Sequence, residues 1–277
     1  GYRMSMIIGK ALIAGGGTAK RLEFEYTGTY NERLDDGVVE LLTSGVLKVT
    51  KDTYIDAFLV GGGGAGSGAS DGFNSSYNGG GGGAGGFTKT ITKALLQANV
   101  EYSIVIGAGG LALAGKAAYG KVGPAGGNTV AFGYTVEGGK SASSRLDGGN
   151  GGSGGGVAGT KSSTSTDSEP SDGASDGNNA ITIGSRNGGT GQGTTTREFG
   201  EATGKLYAGG GAGSRGSNSA THASGGEGGG GTQGISGKAN TGSGGGGGTI
   251  AVSNNEYVSY PGSGGSGIVC IRLHKEN

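Results

Sequence analysis

The chain holds no tryptophan, one cysteine, two histidines and three prolines, and its 21 lysines and arginines are balanced by 21 aspartates and glutamates. Each shortage excludes something. A single cysteine, Cys270, cannot close an intramolecular disulfide, so crosslinks contribute nothing to stability. Within Ile268–Ile271 it reads as a small buried thiol. Few prolines and no strict Gly-X-Y register exclude a collagen triple helix. Balanced charge gives no reason to expect nucleic acid or an anionic membrane as partner. No apolar run is long enough to span a bilayer, and no signal-peptide pattern is found. His222 in a glycine-rich loop and His274 near the end leave no base for a catalytic triad. Cys270 and His274 on one strand would stand roughly 13 Å apart, too far to share a metal ion. Neither cofactor nor metal is expected.

What the sequence has in excess is glycine: 73 of 277 residues, eight in the first 60 and 65 in the remaining 217. The runs (61–64, 79–83, 109–110, 148–156, 209–213, 225–231, 244–248) alternate with short segments carrying Tyr, Phe, Arg, Ile and Val. A flexible spacer has no reason to keep apolar residues at such intervals, so low-complexity disorder is the poorer reading. Ordered glycine loses much backbone entropy, and something collective must offset that. Bundled polyglycine-II helices fit. They have three residues per turn and no internal hydrogen bonds, so they are satisfied only by one another. The bundle is expected across roughly residues 61–267, with interior positions such as Gly229 and Gly246 intolerant of a side chain.

Strand signals surround the tracts. Arg21–Tyr26 alternates with period two and puts Leu22, Phe24 and Tyr26 on one face. Val38–Leu42, Val46–Val49, Tyr54–Val60, a pair within Phe87–Ile106, Thr129–Phe132, Ala180–Ile183, Thr249–Val252 and Ile268–Leu273 complete the set. Lys161–Asn179 reads as a solvated loop. The expected fold is mostly β and irregular, a β-sandwich with a polyglycine-II bundle and little or no α-helix. Residues 1–50 form an N-terminal β segment that either attaches the chain to a partner or completes the sandwich. Residues 51–277 form the glycine-rich domain.

Tyr54–Gly66, Tyr102–Gly110, Gly126–Phe132 and Gly264–Leu273 together resemble the glycine-rich domains of bacteriophage and prophage tail proteins, over about residues 45 to 273. The resemblance implies a structural or binding protein of a phage tail or similar particle: a tip adhesin that meets a bacterial surface saccharide or protein, with other tail subunits as partners. An ice-binding protein, a minor tail component and a depolymerase are the alternatives. Nucleotide-binding patterns at Gly61–Gly66 and Gly107–Ala112 lack the helix that would hold a pyrophosphate, and glycine at this density matches such patterns by chance. No catalytic set is apparent. The aromatics and arginines stranded between tracts (Phe73, Tyr77, Tyr119, Arg186, Arg197, Phe199, Tyr207, Tyr257, Tyr260) either cap the bundle or form a recognition surface. Phe73, Asn74, Tyr77, Arg186, Arg197, Phe199 and Tyr207 are the candidate receptor contacts.

Overall fold

The computed structural model describes residues 7–12, 21–71, 77–141, 147–159, 196–214 and 223–275, with backbone alone at 7–12, 21, 71 and 77. The expected strand at 180–183 and loop at 161–179 lie outside the described residues. The strands are β1 (Ile7–Leu12), β2 (Arg21–Tyr26), β3 (Tyr30–Arg33), β4 (Val38–Leu41), β5 (Gly45–Val49), β6 (Thr53–Val60), β7 (Ser70–Asp71) and β8 (Tyr77–Asn78). They continue with β9 (Thr88–Leu96), β10 (Tyr102–Ile104), β11 (Thr129–Ala131), β12 (Tyr134–Val136), β13 (Ile250–Ser253), β14 (Glu256–Ser259) and β15 (Ile268–Leu273). Helical structure among the described residues is confined to 3-10 turns at Lys116–Ala118 and Glu198–Gly200.

Two antiparallel sheets form a sandwich, one in the order β1-β2-β5-β10 and the other β3-β4-β15-β6-β9. Their facing side chains include Leu22, Phe24 and Leu47 from the first and Val39, Leu59, Val269 and Ile271 from the second. Period-two alternation sends the intervening residues of the second sheet outward. There Val38, Phe58, Val60, Ile268 and Cys270 form a second core under Phe199, Tyr207 and Ala208. The larger sheet is therefore buried on both faces, which is why β6 and β15 read as nearly continuous apolar runs. Strands before residue 50 are woven into both sheets: β2 pairs with β5, and β4 lies between β3 and β15.

Beyond the strands, the glycine tracts hydrogen-bond to one another with a period of three. The N–H groups of Gly61, Gly64 and Ser67 donate to the carbonyls of Phe87, Ala84 and Gly81. Those of Gly62, Ala65 and Gly68 donate to Gly127, Pro124 and Lys121, and those of Gly63 and Gly66 to Gly265 and Gly262. All eight bonds are 2.8–3.0 Å long. Carbonyls of this tract accept in turn from Gly110, Gly139, Gly245 and Gly248, so 61–68 is enclosed by six neighbouring segments. The tract 79–87 repeats the pattern. Gly80, Gly83 and Gly86 donate to Gly248, Gly245 and Gly242, while Gly79, Gly82 and Gly85 donate to Gly159, Gly156 and Ser153. A three-residue turn bonded only to neighbours is polyglycine-II geometry, and all eight backbone donors of 61–68 find their partners on other segments.

Only glycine permits this spacing. A Cβ at Gly63 would lie 1.9 Å from the Ser243 carbonyl oxygen, one at Gly83 2.1 Å from that of Gly64, and one at Gly246 1.7 Å from that of Thr232. Alanine enters a tract where the facing residue is glycine: the Ala84 methyl lies 2.8 Å from the place a Gly151 Cβ would occupy. Gly229 is different from the expectation. It adopts φ +115°, and a Cβ there would also lie 2.7 Å from Thr241 Oγ1 and 2.9 Å from Lys238 Cβ, so conformation and side-chain packing both constrain it, not the contact of two backbones.

Candidate functional site

Among the described residues three tracts leave the sandwich and have a partner tract that returns to it, and the register fixes where the chain reverses. Residues 61–68 run outward from the end of β6, and 79–87 run back to β9. Residues 107–110 leave beyond β10 and 121–127 return to β11, while 242–248 run outward and 261–267 return to β15. At about 3.1 Å per residue the far end stands roughly 25 Å from the sandwich. There sit the β7–β8 hairpin, the far part of loop 111–120 and the β13–β14 hairpin, while Leu111, which follows Gly110 beside Gly63 and Gly264, and the turn 232–236, held at Gly246, adjoin them roughly 15–20 Å out.

These far-end segments are tied into one surface. The Ser259 N–H donates to the Gly115 carbonyl at 3.0 Å, joining loop 111–120 to β14 as an isolated bridge. The Tyr119 and Tyr257 rings stack with centroids 5.6 Å apart and planes 18° from parallel. Lys116 Nζ meets Glu256 Oε1 at 2.6 Å. The Ala112 N–H donates to Ser263 Oγ at 3.0 Å, and the Ser263 N–H donates to Ser236 Oγ at 3.1 Å, so turn 232–236 joins the same surface. Asn254 and Asn255, both with positive φ, make the tight two-residue connection between β13 and β14. On this scaffold large apolar side chains face solvent: Leu111 is 77 % exposed, Val252 66 %, Ile235 59 % and Tyr260 55 %. Leu113 and Tyr257 are exposed beside them.

The structure places the sequence-derived candidates elsewhere for the most part. Phe73, Asn74 and Arg186 lie outside the described residues. Tyr77 stands at the far end by its backbone, opposite Asp71 in the β7–β8 pairing. Phe199 and Tyr207 are core residues, not surface contacts: both rings pack on Phe58, with centroids 6.4 Å and 5.5 Å away. They are buried because the outer face of the larger sheet needs a cover, and the segment 196–208 supplies it. Arg197 is occupied locally, its guanidinium donating to the Gly204 carbonyl at 3.0 Å.

This cover is fastened by charge. Arg33 reaches Glu198, Asp36 and Glu40, and Lys205 Nζ lies 3.2 Å from Glu40 Oε1. Burial works against the charge on Arg33, but Glu198 and Asp36 outweigh it and hold the guanidinium more firmly protonated than usual. Burial also raises the pKa of Glu40; the hydrogen bond from Asn31 and the charges of Lys205 and Arg33 bring it below the ordinary carboxylate value. A second set joins Arg272 to Asp56 and Glu201, with His274 Nδ1 2.7 Å from Asp56 Oδ1. Tyr207 Oη donates to Glu198 at 3.0 Å and lies 3.6 Å from Cys270 Sγ. Burial pushes the Tyr207 hydroxyl and the Cys270 thiol well above their usual values. Phe199 and Ala208 hold positive φ, backbone strain that the packing of the cover sustains. A cleft of about 290 Å³ opens between Arg33, Glu198, Lys205 and Arg272, but these cations are engaged with carboxylates. Among the described residues no group of three or more His, Cys, Asp or Glu is placed to hold a metal ion.

The exposed far-end surface was only partly legible. Tyr119, Tyr257 and Tyr260 stood out as aromatics between tracts. Leu111 and Leu113 gave no signal except an apolar run, Leu111-Ala112-Leu113-Ala114, that follows a tract instead of a strand. Nothing in the sequence said that this run and residues 250–263 meet. No curated protein matches the chain. A family model described as a glycine-rich domain matches residues 43–274. The chain thus belongs to the glycine-rich domain family, which includes the bundle and all of the sandwich from β5 onward.

Proposed function

We propose that the protein is a non-enzymatic component of a phage or phage-like tail, a tip adhesin that meets a bacterial surface receptor through the far end of its bundle. One observation carries this reading: a packed glycine scaffold holds a bonded set of loops, rich in exposed Leu, Ile, Val and Tyr, over its outer half, roughly 15–25 Å from the sandwich. Rigid scaffolds that present loops are the usual home of recognition, and tyrosine gives contact area at small entropic cost. The resemblance to phage tail domains supports the same role. In this reading the sandwich end faces other tail subunits, and the protein resides in the virion tail or an equivalent extracellular particle.

The test is a cell-binding assay with purified full-length chain over a panel of bacterial strains. Replacing Leu111 and Tyr260 by serine is expected to weaken binding at least about tenfold, since two buried anchors at an interface each contribute 1 kcal/mol or more. Both side chains are solvent-exposed, so circular dichroism and melting temperature stay unchanged. Binding of undiminished strength in the folded variant removes the far end as the receptor face.

A further inference from the structure

We infer that the far-end surface selects a protein receptor, through an uncharged apolar segment of that receptor, rather than a saccharide. The inference rests on the adhesion reading and specifies its ligand.

The residues argue by their chemistry. Leu111, Leu113 and Ile235 border the Pro261–Ser263 stretch, because Ala112 and Ser236 both bond to Ser263. Tyr260 opens that stretch, and its hydroxyl reaches within 4.0 Å of where a Gly115 Cβ would stand. Val252 pairs across the hairpin with Tyr257 and shares its face. One apolar surface therefore runs across two loops and a hairpin. A sugar site needs convergent hydrogen-bonding groups around an aromatic platform, and aliphatic side chains add little to it. Here aliphatic and tyrosine side chains alternate, the composition of the central part of a protein interface. Charge complementarity points the same way. Lys116 and Glu256 satisfy each other at 2.6 Å, and Lys121 is the one other charged residue in segments 111–122, 232–236 and 250–263. Exposed Lys121 and, placed at this end by its backbone, Asp71 are single charges of opposite sign, so a polyanion or polycation meets no clustered opposing field here. A neutral, apolar protein loop loses little on leaving water here, and the polar rim of Ser253, Asn254 and Asn255 suits an interface edge. Contacts between loops are already made within the chain, so binding does not have to order them.

Binding of the full-length protein is measured on intact cells of a strain that it binds, on the same cells shaved with proteinase K, and on cells oxidised with periodate. The expected result is a loss of at least about tenfold after proteinase K, no loss after periodate, and less than about twofold change between 50 mM and 500 mM salt. The Val252→Ser, Ile235→Ser variant should reproduce the loss on untreated cells without a shift in melting temperature. Binding that survives proteinase K and is abolished by periodate overturns the protein receptor while leaving adhesion intact. Steep salt dependence overturns the uncharged contact. If no strain of the panel is bound, the adhesion reading itself fails, and this inference with it.

Discussion

At the scale of single residues, glycine plays two roles that composition cannot separate. Inside a tract it is required for space. Replacing Gly83 by valine sets a side chain onto the Gly64 carbonyl, which a Cβ would already approach to 2.1 Å, and the six-neighbour packing leaves no direction of escape. A loss of about 3 kcal/mol or more is expected, read as a fall in melting temperature or failure to fold. At a turn it is required for conformation. Gly133, with φ +80° and nothing within 4 Å, should accept alanine for roughly 1 kcal/mol. Equal effects at the two sites would mean that the tracts are not packed at backbone contact. Alanine and serine follow the same logic. Ala84 is tolerated since Gly151 faces it, so a pair of facing residues shares one methyl's worth of room.

At the scale of elements, the cover over residues 196–208 shows why aromatics between glycine tracts were ambiguous. Phe199 and Tyr207 have the composition of a recognition loop, yet the outer face of β6 and β15 buries them. Sequence alone gives no sign that the larger sheet has two buried faces, except the unbroken apolar runs of those strands. The ion pairs that fasten the cover make its stability dependent on acid. Glu40, Asp56 and Glu201 all have folded pKa values below their ordinary ones. Such groups stabilise the fold fully above the unfolded value near 4, and that contribution is lost as the pH falls through the lower folded values. Melting temperature should be level from pH 7 down to about 5 and fall below about 4. Arg33→Ala should cost roughly 2 kcal/mol at neutral pH, because part-buried Glu198 and Glu40 lose their cation, and it should flatten the acid limb. An acid limb identical to that of the native chain would remove Arg33 from this role.

At the scale of the molecule, the first 50 residues were expected either to attach the protein elsewhere or to complete its own sandwich. Their strands do pair within this domain, and Leu22, Phe24, Tyr26, Val38, Val39 and Leu41 are all buried in it. The family match nevertheless begins at residue 43. Residues 7–42 thus supply β1, β2, β3 and β4 to sheets whose remaining members lie inside the family's span. Deleting residues 1–44 would uncover the edges of β5 and β15 together with much of the core. Insoluble or aggregated protein is the expected outcome, and Val39→Asp, a charge placed in the full-length core, should do the same. Soluble truncated chain with native melting behaviour would restore the view of residues 1–44 as a separable attachment segment.

Sequence by itself determined which side chains of a clearly alternating strand share a buried face, such as Leu22-Phe24-Tyr26, and the need for a glycine bundle, because both rest on local constraint. Side-chain alternation is fixed by the pleat, and a dense glycine tract has few ordered states open to it. The short β3, β12 and β14 escaped notice: they are polar or only three or four residues long, and they owe their pairing to neighbours or to tight turns such as Phe132–Gly133 and Asn254–Asn255. Tertiary structure alone decided which tract lies beside which, since one glycine tract offers the same backbone as another. Their order is imposed by the strands at each end, and through that order Leu111, Ile235, Val252 and Tyr260, separated by up to 149 positions (260 − 111), come to share one exposed surface.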